Sequence, residues 1–264
     1  MRKVTAREIA KMIDHSLLNP IMTEKDIIEG CEIARKYDVA TVCVKPSFVD
    51  VAAKALEDSH VSVSTVIGFP HGSNLTEVKV FEAERAIAHG CEELDMVLDI
   101  GKLLGGEYEY VEHDIAAVAH TAHKRWTILK VILENAYLND ELIVKACQLC
   151  ERAGADFVKT STGYASSGAT IHDLRLMRAS VSDHIHVKAA GGVRSLDAAL
   201  QVRAVGATRF GCTTTAKIME DALARESEGT LCLPDAVGDE LLSASESLAL
   251  PPSCRDSGIS KGGY

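Results

Sequence analysis

Two lysines lie in apolar, strand-like runs about one strand–helix unit apart. Lys159 sits in Phe157-Val158-Lys159-Thr160-Ser161-Thr162-Gly163, and Lys188 in His186-Val187-Lys188-Ala189-Ala190-Gly191-Gly192. Lysine is rarely buried without a partner, so a strand interior is a costly place for it. An amine that loses its proton near neutral pH is a nucleophile toward carbonyl carbon. Apolar surroundings and a second cation both push a lysine in that direction. At an effective dielectric of about 20, two ammonium groups about 4 Å apart repel by ~4 kcal/mol, roughly three pKa units. The pair therefore points to one neutral lysine able to form a Schiff base with an aldehyde or ketone, beside one that keeps its charge.

Two further ionisable groups recur in the same setting. Asp95 lies between Leu94 and Met96, and Lys130 between Leu129 and Val131, with Glu134 at the end of that run. Taken alone, an Asp–Lys pair on adjacent strands can simply neutralise itself. Four such groups on four successive strands are better explained by chemistry. The remaining charged lysine and Asp95 could move protons for the neutral one.

The elements that must position these groups alternate along the chain. Strand candidates fall at 12–15, 41–45, 61–67, 93–98, 127–133, 156–160, 184–189 and 208–211. Between them, period-3.6 stripes predict helices at 25–37, 48–56, 77–88, 111–121, 141–152, 171–179 and 196–205. Gly90, Gly154 and Gly206 stand where helices stop before the next strand. Eight strands, each followed by a helix, predict a single-domain α/β fold of the closed (β/α)8 TIM-barrel type, and 264 residues suit it. An open doubly wound sheet is the alternative, but no G-x-G-x-x-G follows the first strand. The barrel is expected over 1–225. The remainder, 226–264, reads as a largely flexible tail with a short helix near 239–248. In a barrel, alternate strand residues face the interior, so Asp95, Lys130, Lys159 and Lys188 should converge near the strand C-termini.

Glycines supply a second half to the site. Gly191-Gly192-Val193-Arg194 follows the Lys188 strand, and Gly211-Cys212-Thr213-Thr214-Thr215 follows the last one. Both are strand–turn–helix junctions, where backbone N–H groups and helix N-termini hold phosphate in many barrels. Thr162-Gly163 can join them.

The chain resembles the 2-deoxyribose-5-phosphate aldolase (DeoC) family across residues 10–220. The resemblance is carried by Ile13-Asp14-His15-Ser16-Leu17-Leu18, Val42-Cys43-Val44, Val66-Ile67-Gly68-Phe69-Pro70, Glu93-Leu94-Asp95-Met96-Val97, Leu129 through Glu134, Phe157 through Gly163, and Val187 through Arg194. It implies a class I aldolase that cleaves 2-deoxy-D-ribose 5-phosphate to acetaldehyde and D-glyceraldehyde 3-phosphate. By the same resemblance, Lys159 is the Schiff-base lysine, Lys188 the lysine that depresses its pKa, and Asp95 the proton relay. Lys130, Asp14, Ser16 and Cys43 are its supporting residues. Gly163, Gly191, Gly192 and Gly211 match phosphate-loop positions, and Thr213 and Thr214 of the last junction are expected to join them in binding phosphate. Tyr264 matches a tail tyrosine that some members use in proton transfer. No cofactor or metal is implied, because the iminium is the electron sink. The run Thr213, Thr214, Thr215 replaces a more usual Ser-Ser-Gly, which keeps open a related aldolase acting on another sugar or sugar phosphate. A non-catalytic sugar-phosphate-binding protein is the alternative of another class, and the intact Asp95, Lys159 and Lys188 weigh against it.

Composition bounds the partners. A formal net charge of -10 argues against nucleic acid but leaves room for a small anionic ligand such as a sugar phosphate. No apolar run nears the ~20 residues of a membrane span, and the amphipathic start lacks a signal-peptide core, so a cytoplasmic protein is expected. The eight scattered cysteines read as buried free thiols, Cys147-x-x-Cys150 falling inside a helical stripe. The ten histidines show no metal-ligand spacing, and His120 and His123 are placed at an exposed helix end. A homodimer or higher homo-oligomer is the expected assembly.

Overall fold

Eight short runs rich in β-branched residues become eight parallel strands, and the eighth pairs with the first to close the sheet. The structure is a computed structural model describing residues 2–235 and 237. The strands are β1 Ile13–Leu17, β2 Thr41–Val44, β3 Ser62–Ile67, β4 Glu93–Val97, β5 Ile128–Ile132, β6 Phe157–Lys159, β7 His186–Ala189 and β8 Arg209–Cys212. Closure joins Ile13 to Phe210, Asp14 to Gly211 and His15 to Cys212. The helices are α1 Ala6–Ala10, α2 Glu24–Tyr37, α3 Val49–Ala55, α4 Thr76–Ala88, α5 Ile100–Leu104, α6 Tyr108–His123, α7 Asp140–Arg152, α8 Ile171–Ala179, α9 Leu196–Ala204 and α10 Thr215–Ser227. This is the (β/α)8 barrel that the sequence predicts.

The period of two along each strand sorts side chains into two populations. Outward residues such as Val42, Leu94, Met96, Leu129, Val131, Val158, Val187 and Phe210 are fully buried against the helices. They share one core with Ile27 and Ala34 of α2, Ile115 and Val118 of α6, and Cys147 and Cys150 of α7. Inward residues form a separate interior, where Leu18, Cys43 and Val66 make a small apolar cluster against Phe69. Helix starts are capped from the sequence: Thr23 with Asp26 forms a capping box on α2, while Asn139, Thr170 and Ser195 accept first-turn N–H groups of α7, α8 and α9. Gly90, Gly154 and Gly206 take positive φ where α4, α7 and α9 end.

Several boundaries differ from the sequence reading. The first strand runs two residues further, to Leu17, so Ser16 lies within it. The seventh begins at His186 rather than 184, because Ile185 N–H bonds back to Ser182 and the Arg178 guanidinium holds the carbonyls of Val181, Ser182 and Ile185 in a turn. The five-residue helices α1 and α5 are too short to show a period. His120 and His123 occupy the exposed last turn of α6. The chain stays engaged past Arg225: α10 continues to Ser227, Leu231 is buried, and Leu233 N–H bonds Arg2 C=O at 2.9 Å. The helix expected near 239–248 and Tyr264 lie outside the described residues.

One buried pair lies away from the barrel interior. Lys79 of α4 and Asp114 of α6, both fully buried, meet at 2.6 Å. Lys79 also donates to Val97 C=O at the end of β4 (3.1 Å), and Thr76 Oγ1 donates to Asp114 Oδ1 (2.9 Å). Removing one partner strands a buried charge, which costs about 3–5 kcal/mol. We expect Lys79→Met to lower the unfolding free energy in urea by about that amount, and the Lys79→Met/Asp114→Leu double substitution to recover most of it. Equal loss in the single and double variants would show that shape, not charge, sets the cost.

Candidate active site

The alternation that lines the barrel places Asp14 and Ser16, Cys43, Val66, Glu93 and Asp95, Lys130, Lys159, Lys188, and Arg209 and Gly211 on the interior face. The contacts across the barrel agree. Asp95 on β4 is reached by Lys159 from β6 at 2.6 Å and by Lys188 from β7 at 2.6 Å, both on Oδ2. Its Oδ1 accepts from Lys130 at 2.8 Å. Lys130 also meets Glu93 at 2.6 Å, and Lys188 bonds Asp14. Arg209 closes the lattice, touching Asp14 at 2.7 Å and Glu93 at 3.1 Å.

The charges in this lattice do not balance. Four bases (Lys130, Lys159, Lys188, Arg209) face three carboxylates (Asp14, Glu93, Asp95). All are in low-dielectric surroundings, where an uncompensated charge is expensive. The excess falls on one group. Burial holds the Lys159 ammonium below its ordinary pKa, the Asp95 carboxylate opposes this, and the Lys188 charge adds to the lowering. Lys188 moves the other way, because Asp14 and Asp95 together outweigh its burial. Burial also disfavours the charges of Lys130 and Arg209, but Asp95 and Glu93 hold the first protonated, and Asp14 and Glu93 the second. Burial works against the Asp14 and Asp95 charges in turn, yet the surrounding cations keep both well below the usual carboxylate range. The two lysines are thus unequal, as the sequence predicts, and for Lys159 loss of water comes before repulsion by Lys188.

A cavity of about 470 Å³ opens above the lattice. Asp14, Ser16, Cys43, Lys159 and Lys188 line it, and so do Gly163, Gly191, Gly192, Gly211, Thr213 and Thr214. Asp95 and Lys130 do not reach it and lie behind Lys159 and Lys188. Burial pushes the Cys43 thiol up, so it is a neutral wall. Cys147 and Cys150 lie on the helix side of the barrel, far from a redox role; burial pushes Cys147 up to about 12.

The loops over the cavity are bound to each other. Ala169 N–H reaches the carbonyls of Ala190 and Gly191 at 2.9 and 3.0 Å. The Gly191 backbone, at φ +78°, passes so close to Gly168 that a Cβ there would lie 2.8 Å from its Cα. Glu134, itself at φ 56°, accepts from Thr162 N at 3.1 Å and from Thr162 Oγ1, fixing the turn after Lys159. The threonine run has three separate tasks. Thr213 lines the cavity, and Thr214 Oγ1 donates to Arg194 C=O at 3.1 Å rather than capping α10. Thr215 opens α10 and meets His15 Nδ1 at 2.8 Å. Its φ is not positive, so this position does not need the backbone freedom of glycine. Burial holds His15 down to about 4, leaving it neutral near pH 7. Thr214, the N-cap of α10, makes no side-chain cap bond and itself lines the cavity, so an uncapped helix start, a setting suited to an anion, follows directly on the rim.

Sequence reasoning passed over Glu93, Arg209 and Tyr164. Glu93 and Arg209 each lie two residues before an identified position, Asp95 and Gly211, and therefore on the same inward face; strand alternation points to that face but not to their meeting across the barrel. Tyr164 has no such signal. Its phenol donates to Leu18 C=O at 2.9 Å and its ring meets Phe69 edge-on at 5.4 Å, both contacts between distant segments.

Known proteins share this arrangement of chain. The family model for DeoC/LacD family aldolases matches residues 8–220. The deoxyribose-phosphate aldolase of Thermococcus kodakarensis is 50% identical over 218 residues, which are 82% of this chain and 97% of that one. The deoxyribose-phosphate aldolase of Rhodopirellula baltica is 47% identical over 215 residues, 81% of this chain and 89% of its own. Among solved structures, the tetrameric deoxyribose phosphate aldolase of Aeropyrum pernix matches with a TM-score of 0.77 at 30% identity, covering 82% of this chain and 92% of that one. With its barrel, its buried lysines and these relatives in agreement, the chain belongs to the DeoC/LacD family of aldolases.

Proposed function

We propose that this chain is a class I aldolase that reversibly cleaves 2-deoxy-D-ribose 5-phosphate to acetaldehyde and D-glyceraldehyde 3-phosphate through a Schiff base on Lys159. The observation that carries this reading is the surplus base: Lys159 stands at the cavity floor within a lattice of four bases and three carboxylates, and burial holds its pKa below the ordinary lysine value. A neutral amine there attacks the open-chain C1 aldehyde. The carbinolamine oxygen takes up a proton and leaves as water, forming an iminium. The iminium draws electrons as the C3 hydroxyl gives up its proton and the C2–C3 bond breaks. Glyceraldehyde 3-phosphate departs, leaving an enamine. Protonation at C2 and hydrolysis then release acetaldehyde and restore the amine.

Lys188 and Asp95 are assigned the proton traffic. Lys188 reaches the cavity, and Asp95 joins it to Lys159 through one oxygen atom. Lys130 keeps Asp95 ionised and aimed, and Asp14 does the same for Lys188. Ser16 and Cys43 shape the wall around the reacting carbons. The phosphate is assigned to Gly163, Gly191, Gly192, Gly211, Thr213 and Thr214 together with the start of α10, and Tyr264 is kept as a tail residue able to assist proton transfer. A cytoplasmic location belongs to the same reading; among the described residues no helix is long and apolar enough to cross a membrane. So does a homo-oligomer, in keeping with the tetrameric Aeropyrum pernix relative. Sedimentation as a single 28.3 kDa chain would contradict that assembly.

Borohydride reduction in the presence of acetaldehyde should leave a two-carbon adduct on Lys159, identified by peptide mass spectrometry. Lys159→Ala should lower kcat/KM on deoxyribose 5-phosphate by on the order of 10⁴ or more. A variant that keeps full turnover sinks the assignment, and faster cleavage of unphosphorylated deoxyribose than of its phosphate sinks the substrate.

The pH dependence of trapping follows from the charge count. Imine formation needs the neutral amine, so the trapping rate should rise with pH through a midpoint below the ordinary lysine value of about 10.4. Glu93→Gln removes a negative charge that favours the ammonium form, so it should move the midpoint to lower pH. Arg209→Met removes a competing cation and should move it to higher pH. Each shift should be on the order of one unit. Neither residue lines the cavity, so opposite shifts report charge rather than a lost contact with substrate; shifts of the same sign would defeat this account.

A further inference from the structure

A second cavity, of about 350 Å³, lies beside the first. Its walls are Leu18, Pro20, Pro46, Val66, Phe69 and Pro70, with Lys45, Glu82 and Tyr164 at its edges. Leu18 and Tyr164 line both cavities. The partition between them is therefore side chain rather than strand. Tyr164 spans the barrel mouth from the loop after β6 to the segment after β1, held by the Leu18 carbonyl and by the Phe69 ring. The Lys45 ammonium is turned onto the carbonyls of Pro20 (3.1 Å) and Met22 (2.9 Å), leaving the interior of this cavity mainly apolar.

The position of this space relative to the chemistry is informative. The candidate phosphate loops follow β6, β7 and β8. The second cavity lies across the mouth, behind the loops after β1, β2 and β3. A five-carbon substrate joined to Lys159 at C1 and held by its phosphate at the far end directs its donor carbons, C1 and C2, away from the phosphate loops. On that side, Cys43 and Leu18 of the first cavity pack with Val66 of the second as one apolar cluster, the surface that substituents on those carbons would meet. In the condensation direction, acetaldehyde places only hydrogen there. A longer aldehyde places an alkyl group there.

We propose that the second cavity is a donor-side subsite for the alkyl substituent of aldehydes longer than acetaldehyde, with the Tyr164 ring as the partition that limits entry. The proposal rests on the Schiff-base reading above. The reaction is an addition without redox change. The Lys159 enamine of butanal forms a bond from its C2 to the carbonyl carbon of D-glyceraldehyde 3-phosphate, whose oxygen takes up a proton. Water then hydrolyses the iminium, returning the amine and a 2-ethyl-2-deoxypentose 5-phosphate.

The test is the ratio of product formed from butanal to product formed from acetaldehyde, each with D-glyceraldehyde 3-phosphate as acceptor, measured by mass spectrometry within one preparation. A ratio is insensitive to the fraction of folded protein. Tyr164→Ala should raise it by about tenfold or more, the scale of a methylene or two gaining an apolar pocket. Tyr164→Phe keeps the ring and should leave the ratio within about twofold of the wild type. Phe69→Trp, which fills the cavity in an otherwise unchanged chain, should lower the ratio, and in the Tyr164→Ala background should reverse the gain. A ratio unmoved by both Tyr164→Ala and Phe69→Trp, in protein that still traps acetaldehyde on Lys159, overturns this inference alone. Failure of the wild type to trap acetaldehyde overturns the aldolase reading and this inference with it.

Discussion

A single buried carboxylate, Asp95, receives three ammonium groups at 2.6, 2.6 and 2.8 Å, and the barrel interior is organised around that fact. Three lysines cannot share one aspartate without further anions. Asp14 and Glu93 supply them, and Arg209 in turn holds those two carboxylates. Every member except Lys159 touches at least two opposite charges. Lys159 touches only Asp95, whose bonded oxygen it shares with Lys188. A neutral Lys159 would leave three cations facing three carboxylates, so the proposed Schiff-base role asks for the charge state in which the lattice balances.

The lattice also explains why the strands carry so few residues of chemistry at the cavity surface. Of the lattice, Asp14, Lys159 and Lys188 reach the open space, while Asp95, Lys130, Glu93 and Arg209 stay behind them. Shielding the ion pairs from water keeps their mutual field strong. The loops then complete the site by backbone rather than by charge. Their mutual hydrogen bonds, the Gly168–Gly191 approach and the Glu134–Thr162 contacts define the cavity rim before any ligand arrives.

Much of this was legible in the chain. The alternation of β-branched runs with amphipathic stripes gives the barrel, because each strand buries one face on the helices and one on the interior. Lys159 and Lys188 stand out because lysine is conspicuous among Val, Phe and Ala. Glu93 and Arg209 are less conspicuous, since each sits at the start of its strand, where charged residues are common. Their role exists only when β4 and β8 face each other across a closed barrel, a relation that no local pattern contains. The same holds for Tyr164, whose partners Leu18 and Phe69 come from the loops after β1 and β3. The Thr213, Thr214, Thr215 run looked like a change in the ligand loop, but two of its three hydroxyls are engaged within the protein, with Arg194 and His15. The ranking of forces on Lys159 was also out of reach, because the weight of burial against repulsion depends on how many carboxylates stand behind the pair.

The central claim is that the surplus proton of the lattice is the one missing from Lys159. The most direct measurement is an NMR titration of the intact enzyme with lysine labelled at Cε, resonances being assigned by Lys→Arg substitution at 130, 159 and 188. This account predicts that Lys159 titrates below the ordinary lysine range while Lys130 and Lys188 stay protonated through the whole range over which the fold survives. A Lys159 resonance titrating at or above that of exposed lysines, or Lys188 losing its proton first, would contradict it.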